Sequence, residues 1–156
     1  MRTLNPEYVK QVSSVANGSP YFRLLSMEIV KIGIGSCLIE INLQEKHLQP
    51  FGVVHGGVFA TIIDAAAFWG VYGGVDEKSG MTSVDLKLNY LAPATTGKLI
   101  AKGRQIKLGR TLALGEAEVT DQDGKILAHG TSTLMVIPGF TFVHKADLPS
   151  KFIETD

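Results

Sequence analysis

The 156-residue sequence lacks the features that mark disulfide-rich, secreted or nucleic-acid-binding proteins. Its single cysteine, Cys37, cannot form a disulfide within the chain. The 15 basic and 15 acidic residues cancel, and no cluster of Lys and Arg supplies the basic field that nucleic acids require. The first residues lack the apolar core and small-residue cleavage pattern of a signal peptide. We therefore expect a cytoplasmic protein without a nucleic-acid partner.

The motifs of the common hydrolases and cofactor-binding enzymes are also missing. The sequence has no Gly-x-Ser-x-Gly elbow, no P-loop and no Gly-x-Gly-x-x-Gly fingerprint. No His-x-x-x-His or Cys-x-x-Cys spacing occurs, and His47 and His129 have no further metal ligand near them in the sequence. We expect neither a metal nor a cofactor.

Charged residues make up only 19% of the chain, which would leave the surface of a lone monomer strongly apolar. This favours a homo-oligomer that buries part of that surface.

Residues 52–75 carry one formal charge, Asp64, and could be mistaken for a membrane span. Asp64 would then lie near the middle of the bilayer at a cost of about 2.5 to 3.5 kcal/mol. Glycines interrupt the same stretch, so we expect no membrane insertion.

This apolar stretch instead predicts a long helix that begins at Gly56-Gly57 and ends at Gly73-Gly74. Glycine at the end of a helix often adopts the left-handed conformation, and we expect it to do so here. Apolar residues surround the whole circumference of the helix, so the helix should be buried on most sides.

The residues around this helix have the period of strands. Alternation from Ser83 to Tyr90 predicts a half-buried strand, and three further strands separated by short glycine-bearing loops complete a meander. Two earlier strands, 24–32 and 36–43, form a hairpin, and 6–16 is a short amphipathic helix. The fold class is α+β, with an antiparallel sheet of about six strands wrapped around one central helix.

We divide the chain into an N-terminal helical segment (residues 1–20), one main domain (21–137) and a C-terminal tail (138–156). The tail has no clear hydrophobic period, and we expect it to be loosely attached.

Two features of the central helix suggest chemistry. The N–H groups of Gly56 and Gly57 lie where a helix has unpaired donors and a positive dipole, which suits an anion or a developing oxyanion. The alternative is that the glycines serve only the conformation of the turn.

Asp64 lies in the middle of the helix among apolar residues, where an unpaired carboxylate is costly. It is either a general base or nucleophile in a cleft, or a structural carboxylate paired across an interface.

The spacing of these features has a consequence for assembly. Asp64 follows Gly56 by eight residues, which corresponds to about 12 Å along one helix. One small carbonyl group cannot contact both. If both act on the same carbonyl, the carboxylate comes from a second subunit with its helix antiparallel, and a two-fold axis generates two equivalent sites.

Other side chains near this segment have a functional and a structural interpretation. Gln49 and His55 flank the loop that enters the helix and could orient a substrate, although His55 could equally cap the backbone. Ser83 could hold a nucleophilic water or be an exposed serine at a strand end. The aromatic residues Phe59, Phe68 and Trp69 favour core or dimer packing, and they are also candidates to line an acyl pocket.

The segments HGGVFATIIDAA and SVDLKLNYLAPA, followed by a GRTL hairpin and AHGTSTLMV, resemble the hotdog-fold acyl-CoA thioesterases of the PaaI-like (phenylacetate-pathway) branch. The resemblance covers roughly residues 20–137. It implies a sheet wrapped around one long helix, subunits that pair through their sheets, and dimers that often stack into tetramers. The implied activity is hydrolysis of an acyl-CoA to a free acid and coenzyme A, which is part of the substrate.

The resemblance also assigns roles to individual residues. Gly56, with Gly57 behind it, corresponds to the helix-start amide that polarises the thioester carbonyl. Asp64 corresponds to the carboxylate from the opposite subunit, acting as general base or nucleophile. Gln49, His55 and Ser83 occupy positions near the attack site.

Two basic side chains, Lys107 and Arg110, resemble those that contact the nucleotide phosphates of coenzyme A. Two other functions stay open at this point, an acyl-thioester hydratase or dehydratase and a non-catalytic acyl-CoA binding module. The acyl group is undetermined.

Overall fold

The computed structural model describes residues 1–143 and 147–155. Within these residues the helices are α1 (Pro6–Asn17), α2 (Pro20–Leu25), a 3-10 turn (Glu45–His47) and α3 (Gly56–Tyr72). The strands are β1 (Arg2–Leu4), β2 (Met27–Gly33), β3 (Ser36–Asn42), β4 (Ser79–Tyr90), β5 (Lys98–Leu108), β6 (Leu112–Thr120), β7 (Ile126–Pro138) and β8 (Phe152–Glu154). No helix in this part of the chain has the length and apolar character needed to cross a lipid bilayer.

The main sheet has six antiparallel strands in the order β2-β3-β5-β6-β7-β4, and α3 packs against all six. This confirms the predicted α+β class and the sheet wrapped around one helix. The predicted meander holds for β5, β6 and β7, but β4 pairs with β7 and not with β5. The N–H groups of Leu91 and Ala92 both donate to the carbonyl of Leu127, so the chain leaving β4 stays beside β7 before crossing to β5.

Small residues allow the sheet to close around α3. A Cβ atom added at Gly103 on β5 would lie 1.9 Å from the carbonyl oxygen of Ala66, and one added at Gly115 on β6 would lie 2.5 Å from that of Ala67. Cys37 Sγ donates to the same Ala66 carbonyl at 3.1 Å. Burial raises the pKa of Cys37 to about 12, which keeps it a neutral thiol that packs as a small core residue.

Replacing Gly103 with alanine is therefore expected to destabilise the protein by about 3 kcal/mol, the upper end for overpacking, because the new methyl group would overlap the backbone carbonyl of Ala66 and crowd Cys37 Sγ. Urea denaturation of Gly103→Ala measures this change. Gly124→Ala is an informative comparison, since a Cβ there meets nothing within 4 Å and strains only a positive φ of 85°. Equal stability of Gly103→Ala and wild type would contradict the close packing.

The C-terminal end of α3 differs from the prediction. Gly73 caps the helix with a φ of −56°, in the right-handed region, so the expected left-handed glycine is wrong. Glycine is required here for space instead, because a Cβ at Gly73 would lie 2.1 Å from the carbonyl oxygen of Gly33 on β2.

The N-terminal region confirms the helix predicted at residues 6–16, with Tyr8, Val12 and Ala16 buried against the core. It also contains α2, which the sequence analysis missed by extending the first strand back to Leu24. Pro20 occupies the first turn of α2 and Ser26 ends it in the left-handed conformation, so β2 begins only at Met27.

The C-terminal tail is not loosely attached, contrary to expectation. Strand β8 pairs with β1, and the side chain of Lys151 is only 1% exposed. Its Nζ donates to the carbonyls of Tyr72 (2.6 Å) and Val75 (2.8 Å), and it lies 3.9 Å from the centroid of the Tyr72 ring. A cation at this position satisfies carbonyls at the end of α3 and complements the helix dipole. The division of the chain at residues 20 and 137 stays a prediction.

The buried ammonium group predicts a pH dependence of stability. Burial lowers the pKa of Lys151 to about 8 from its ordinary value of 10.5. Between these pH values the unfolded chain binds more protons than the folded chain, so the Lys151 contribution to stability rises with pH. We expect the free energy of unfolding of wild type minus that of Lys151→Met to increase between pH 8 and pH 10.5. Urea titrations at several pH values test this, and a difference that falls with pH would contradict it.

Candidate active site

One face of α3 is not covered by the sheet. Gly57, Thr61, Asp64 and Phe68 are exposed or half-buried, and their spacing of three and four residues places them on one stripe of the helix. The other sides of α3 are buried, which confirms the prediction that the helix is buried on most sides. The stripe itself is not covered by any other described part of the single chain. The open face lies between α2 and β4 and forms a cleft of about 370 Å³. The cleft is lined by Tyr21, Phe22, Met27, Ala60, Thr61, Asp64, Ala65, Phe68, Trp69 and Leu86.

Asp64 lies in this cleft and is half-buried, as the interpretation of a carboxylate in a cleft requires. The hydroxyl of Ser83 on β4 donates to Asp64 Oδ1 at 2.8 Å. Asp64 Oδ2 has no hydrogen-bond partner or cation within 4 Å among residues 1–143 and 147–155. The structure thus brings two predicted site residues together and leaves one carboxylate oxygen free to accept a proton.

The N-terminus of α3 forms a second group of predicted residues. His55 is the N-cap, and its Nδ1 accepts a hydrogen bond from the N–H of Gly57 at 2.8 Å. The N–H of Val58 donates to the carbonyl of His55. The N–H of Gly56 has no acceptor in the described part of the chain, so it is the available donor at this helix start. His55 therefore occupies the capping role that the sequence analysis gave as its alternative.

Gln49 is held in the loop before the helix. Leu48 and Val54 form an isolated bridge, and the N–H of Gln49 donates to Val53. The side-chain carbonyl of Gln49 accepts from the N–H of Phe51, so the loop itself uses that oxygen. The side-chain amide nitrogen is left as the group that Gln49 can offer to a ligand.

Two residues that shape the start of α3 were not among the predicted site residues. The ring of Tyr90 lies over Gly56, since a Cβ added at Gly56 would be 3.2 Å from both Cζ and Oη of Tyr90. Tyr90 also packs edge-on against Phe59, with ring centroids 6.3 Å apart. The strand alternation that groups Tyr90 with Leu86 could have indicated that it faces α3.

The second missed residue is His47, which is fully buried. Its Nδ1 accepts from the N–H of Gln44 at 2.9 Å, and its Nε2 contacts the carbonyl of Leu25 at 2.7 Å. Its own carbonyl accepts from the N–H of His55. His47 therefore connects α2 to the residue that caps α3, and no sequence motif identifies such a buried link.

Within one chain the two groups lie apart. Asp64 and Ser83 lie in the cleft, whereas Gly56, Gln49 and His55 lie at the helix start, about 12 Å away along α3. The helix is rigid over this distance because the sheet packs closely against it. No rearrangement of side chains in a single chain can bring the Gly56 amide and the Asp64 carboxylate to the same small group.

The three residues predicted to bind substrate lie in two separate places, Phe68 in the cleft and Lys107 and Arg110 on a hairpin. Phe68 lines the cleft four residues beyond Asp64 and stacks on Tyr72. Lys107 and Arg110 are exposed at the β5–β6 hairpin, which lies toward the C-terminal end of α3 because Leu108 packs near Gly74. Neither basic residue forms an ion pair with a described residue.

The described residues contain no group of three His, Cys, Asp or Glu side chains arranged to hold a metal ion.

Comparison with known proteins connects this arrangement to a family. The thioesterase superfamily model matches residues 51–128, half of the chain, including α3 and strands β4, β5 and β6. A 1,4-dihydroxy-2-naphthoyl-CoA hydrolase of Listeria monocytogenes is 28% identical over 112 residues, covering 72% of this chain and 91% of the relative. Human acyl-coenzyme A thioesterase 13 is 28% identical over 130 residues, covering 81% of this chain and 90% of the relative.

The fold is also that of solved thioesterases. A thioesterase of Haemophilus influenzae has a TM-score of 0.79 at 23% identity, covering 92% of this chain and all of that chain. The family match and the shared helix-in-sheet architecture confirm the resemblance stated from the sequence. The chain therefore belongs to the thioesterase superfamily as a hotdog-fold thioester hydrolase.

Proposed function

We propose that this protein hydrolyses acyl-CoA thioesters at sites formed between two subunits. The observation that carries the proposal is the separation of two catalytic halves on one helix. The Gly56 amide lacks an acceptor at the start of α3, and Asp64 lies paired with Ser83 two turns further on. Two antiparallel copies of α3 would place the first half of one subunit against the second half of the other.

The edge of the sheet supports this assembly. Strand β4 is the terminal strand of the sheet, is 12 residues long and has no strand partner on its outer side within the described chain. Val84, Tyr90 and Leu91 are each more than half exposed there. A long edge strand with exposed apolar side chains is a template for pairing with another chain. Antiparallel pairing of two β4 strands would continue the sheet and bring the open faces of the two α3 helices together.

The opposite edge of the main sheet is less suited to pairing with a second subunit. Strand β2, at the opposite end of the sheet, has a register shift between Ile29 and Lys31 and is covered by α1. Irregular pairing and a covering helix both protect a sheet edge. Stacking of such dimers into a tetramer stays a prediction.

The proposed chemistry uses both halves of the site. Asp64 Oδ2 takes a proton from water as the water oxygen attacks the thioester carbon, while Ser83 holds Oδ1 in place. The Gly56 N–H of the other subunit donates to the oxygen on which negative charge develops. Collapse of the tetrahedral intermediate breaks the carbon–sulfur bond, and the thiolate recovers the proton from Asp64. The products are a carboxylic acid and the free thiol of coenzyme A.

Residues outside the reacting centre have supporting roles in this proposal. The amide nitrogen of Gln49 orients the substrate or water beside Gly56, and His55 fixes the helix start by occupying the Gly57 amide. The exposed ammonium of Lys107 and guanidinium of Arg110 contact the phosphates of coenzyme A. In this scheme each proton is carried by water, Asp64 or the leaving thiol.

A product analysis tests the proposed reaction. The purified protein is incubated in 18O-labelled water with a panel of saturated and 2,3-unsaturated acyl-CoAs, and free thiol and acid are measured together. Hydrolysis predicts equal amounts of thiol and acid, with one label in the acid. Addition of water to the unsaturated thioester without thiol release would identify a hydratase. Saturable binding without any product would identify a binding module, and either result would contradict the proposal.

A further inference from the structure

A second cavity of about 700 Å³ lies beyond the cleft that contains Asp64. Its apolar wall includes Phe68, Tyr72, Met81, Phe142 and Leu148. We call this cavity the distal chamber. No residue of the mechanism proposed above reaches into it, so its role is separate from the reacting groups.

Phe68 connects the distal chamber to the active-site cleft. It lines both cavities and lies one helix turn beyond Asp64 on the same stripe of α3. Tyr72 follows one turn later and stacks on Phe68, with ring centroids 6.0 Å apart and planes 13° apart. From Asp64 to Tyr72 this face of the helix extends about 12 Å. A chain attached at the reacting carbonyl can follow this aromatic surface away from Asp64.

The outer wall of the distal chamber is built by the segment that follows β7. The Gly139 N–H donates to the carbonyl of Lys78 at 2.8 Å, and Phe140 packs directly on Gly80, where an added Cβ would lie 2.3 Å from its carbonyl oxygen. Phe142 packs against Tyr72 with ring centroids 6.2 Å apart. Lys151 then anchors the returning chain to the end of α3. The chamber therefore depends on the tail that the sequence predicted to be loose.

The two tyrosine hydroxyls of the distal chamber satisfy each other. The hydroxyls of Tyr8 and Tyr72 hydrogen-bond to each other at 2.7 Å, so each has a partner already. The charged residues Glu77 and Lys78 are exposed and lie at the rim. The largely apolar wall thus suits an uncharged hydrocarbon.

We propose that the distal chamber receives the far end of a long aliphatic acyl chain, which passes Phe68, and that residues 139–143 and Leu148 set the chain length of the preferred substrate. This inference rests on the proposed acyl-CoA hydrolysis. Each methylene that enters the chamber should raise kcat/KM about fourfold, the factor expected from burying one CH2 group. The gain should end when the chamber is full.

The test measures kcat/KM for saturated acyl-CoAs from four to sixteen carbons with wild type, Phe142→Trp and Phe68→Trp. Both substitutions should reduce the advantage of the long chains by at least tenfold, and Phe142→Trp, which lies outside the cleft of Asp64, should leave the four-carbon substrate unchanged. Phe142→Ala should extend the preferred length. Val30→Trp, which adds an indole ring at an exposed residue on β2, should keep the wild-type profile. Equal losses for all chain lengths in Phe142→Trp, or an unchanged profile, would overturn the inference.

Binding of non-hydrolysable thioethers separates this inference from the proposed reaction. S-hexadecyl-CoA and S-butyl-CoA are titrated calorimetrically against wild type and Phe142→Trp. Tighter binding of the longer thioether by wild type, lost in Phe142→Trp, supports the chamber even if no hydrolysis is found. Equal affinities for both thioethers in wild type would overturn the chamber while hydrolysis could still stand.

Discussion

Replacing Asp64 with asparagine is expected to lower kcat for thioester hydrolysis by about 10² to 10⁴, the usual contribution of a positioned general base. Asparagine keeps the size of the side chain and an oxygen that can accept from Ser83 Oγ, but it cannot take a proton from water. KM should change much less, since the carboxylate acts mainly on the transition state. Steady-state thiol release over a range of substrate concentrations gives both constants.

A matched control is available for this measurement. Asp123 is an exposed aspartate in the β6–β7 loop, so Asp123→Asn makes the same chemical change away from α3. This control should retain wild-type kcat. If Asp64→Asn also retained it, Asp64 would be a structural carboxylate, the alternative left open by the sequence.

Replacing Gly56 with proline should lower kcat by about 10² to 10³, the loss typical of one oxyanion donor. Proline removes the N–H while fitting the first position of a helix, where it is well tolerated. The preceding residue suits this change, because His55 has φ −61° and ψ 135°, the extended conformation that proline favours in the residue before it. The fold should therefore survive the loss of the donor, which circular dichroism and thermal unfolding can verify.

Gly56→Ala separates the missing N–H from the added bulk. It keeps the donor and adds a Cβ 3.2 Å from the Tyr90 ring, a tight contact that a small ring movement relieves. We expect Gly56→Ala to keep most of the wild-type kcat. A loss as large as that of Gly56→Pro would mean that crowding by Tyr90, and not the amide, accounts for the effect.

The sequence predicts the helix and its reactive groups because their signals are local. The apolar run with its one aspartate defines α3, and the glycine pair marks its start at Gly56, where the structure places it. The alternation from Ser83 identifies β4, although the strand begins earlier, at Ser79. Eight residues between Gly56 and Asp64 fix their separation once the segment is helical.

Features that depend on distant contacts could not be predicted in this way. Lys151 looks like an ordinary tail residue until the fold brings it to the carbonyls at the end of α3, and Gly73 looks like a helix cap until β2 crowds it. The order of the strands depends on how the chain after Leu91 crosses to β5, which hydrophobic periodicity does not specify. Likewise, Tyr90 reaches Gly56 only because β4 lies beside α3.

Subunit complementation measures the shared site most directly. Asp64→Asn and Gly56→Pro chains carrying different affinity tags are co-expressed, and dimers containing both chains are isolated by tandem purification. In such a dimer one site combines the intact Gly56 of the first chain with the intact Asp64 of the second, while the other site carries both lesions. A site shared between subunits predicts about half of the wild-type kcat per dimer for the mixed species, at least tenfold above either parent variant. A mixed dimer no more active than its parents would show that the carboxylate and the amide do not act across the interface.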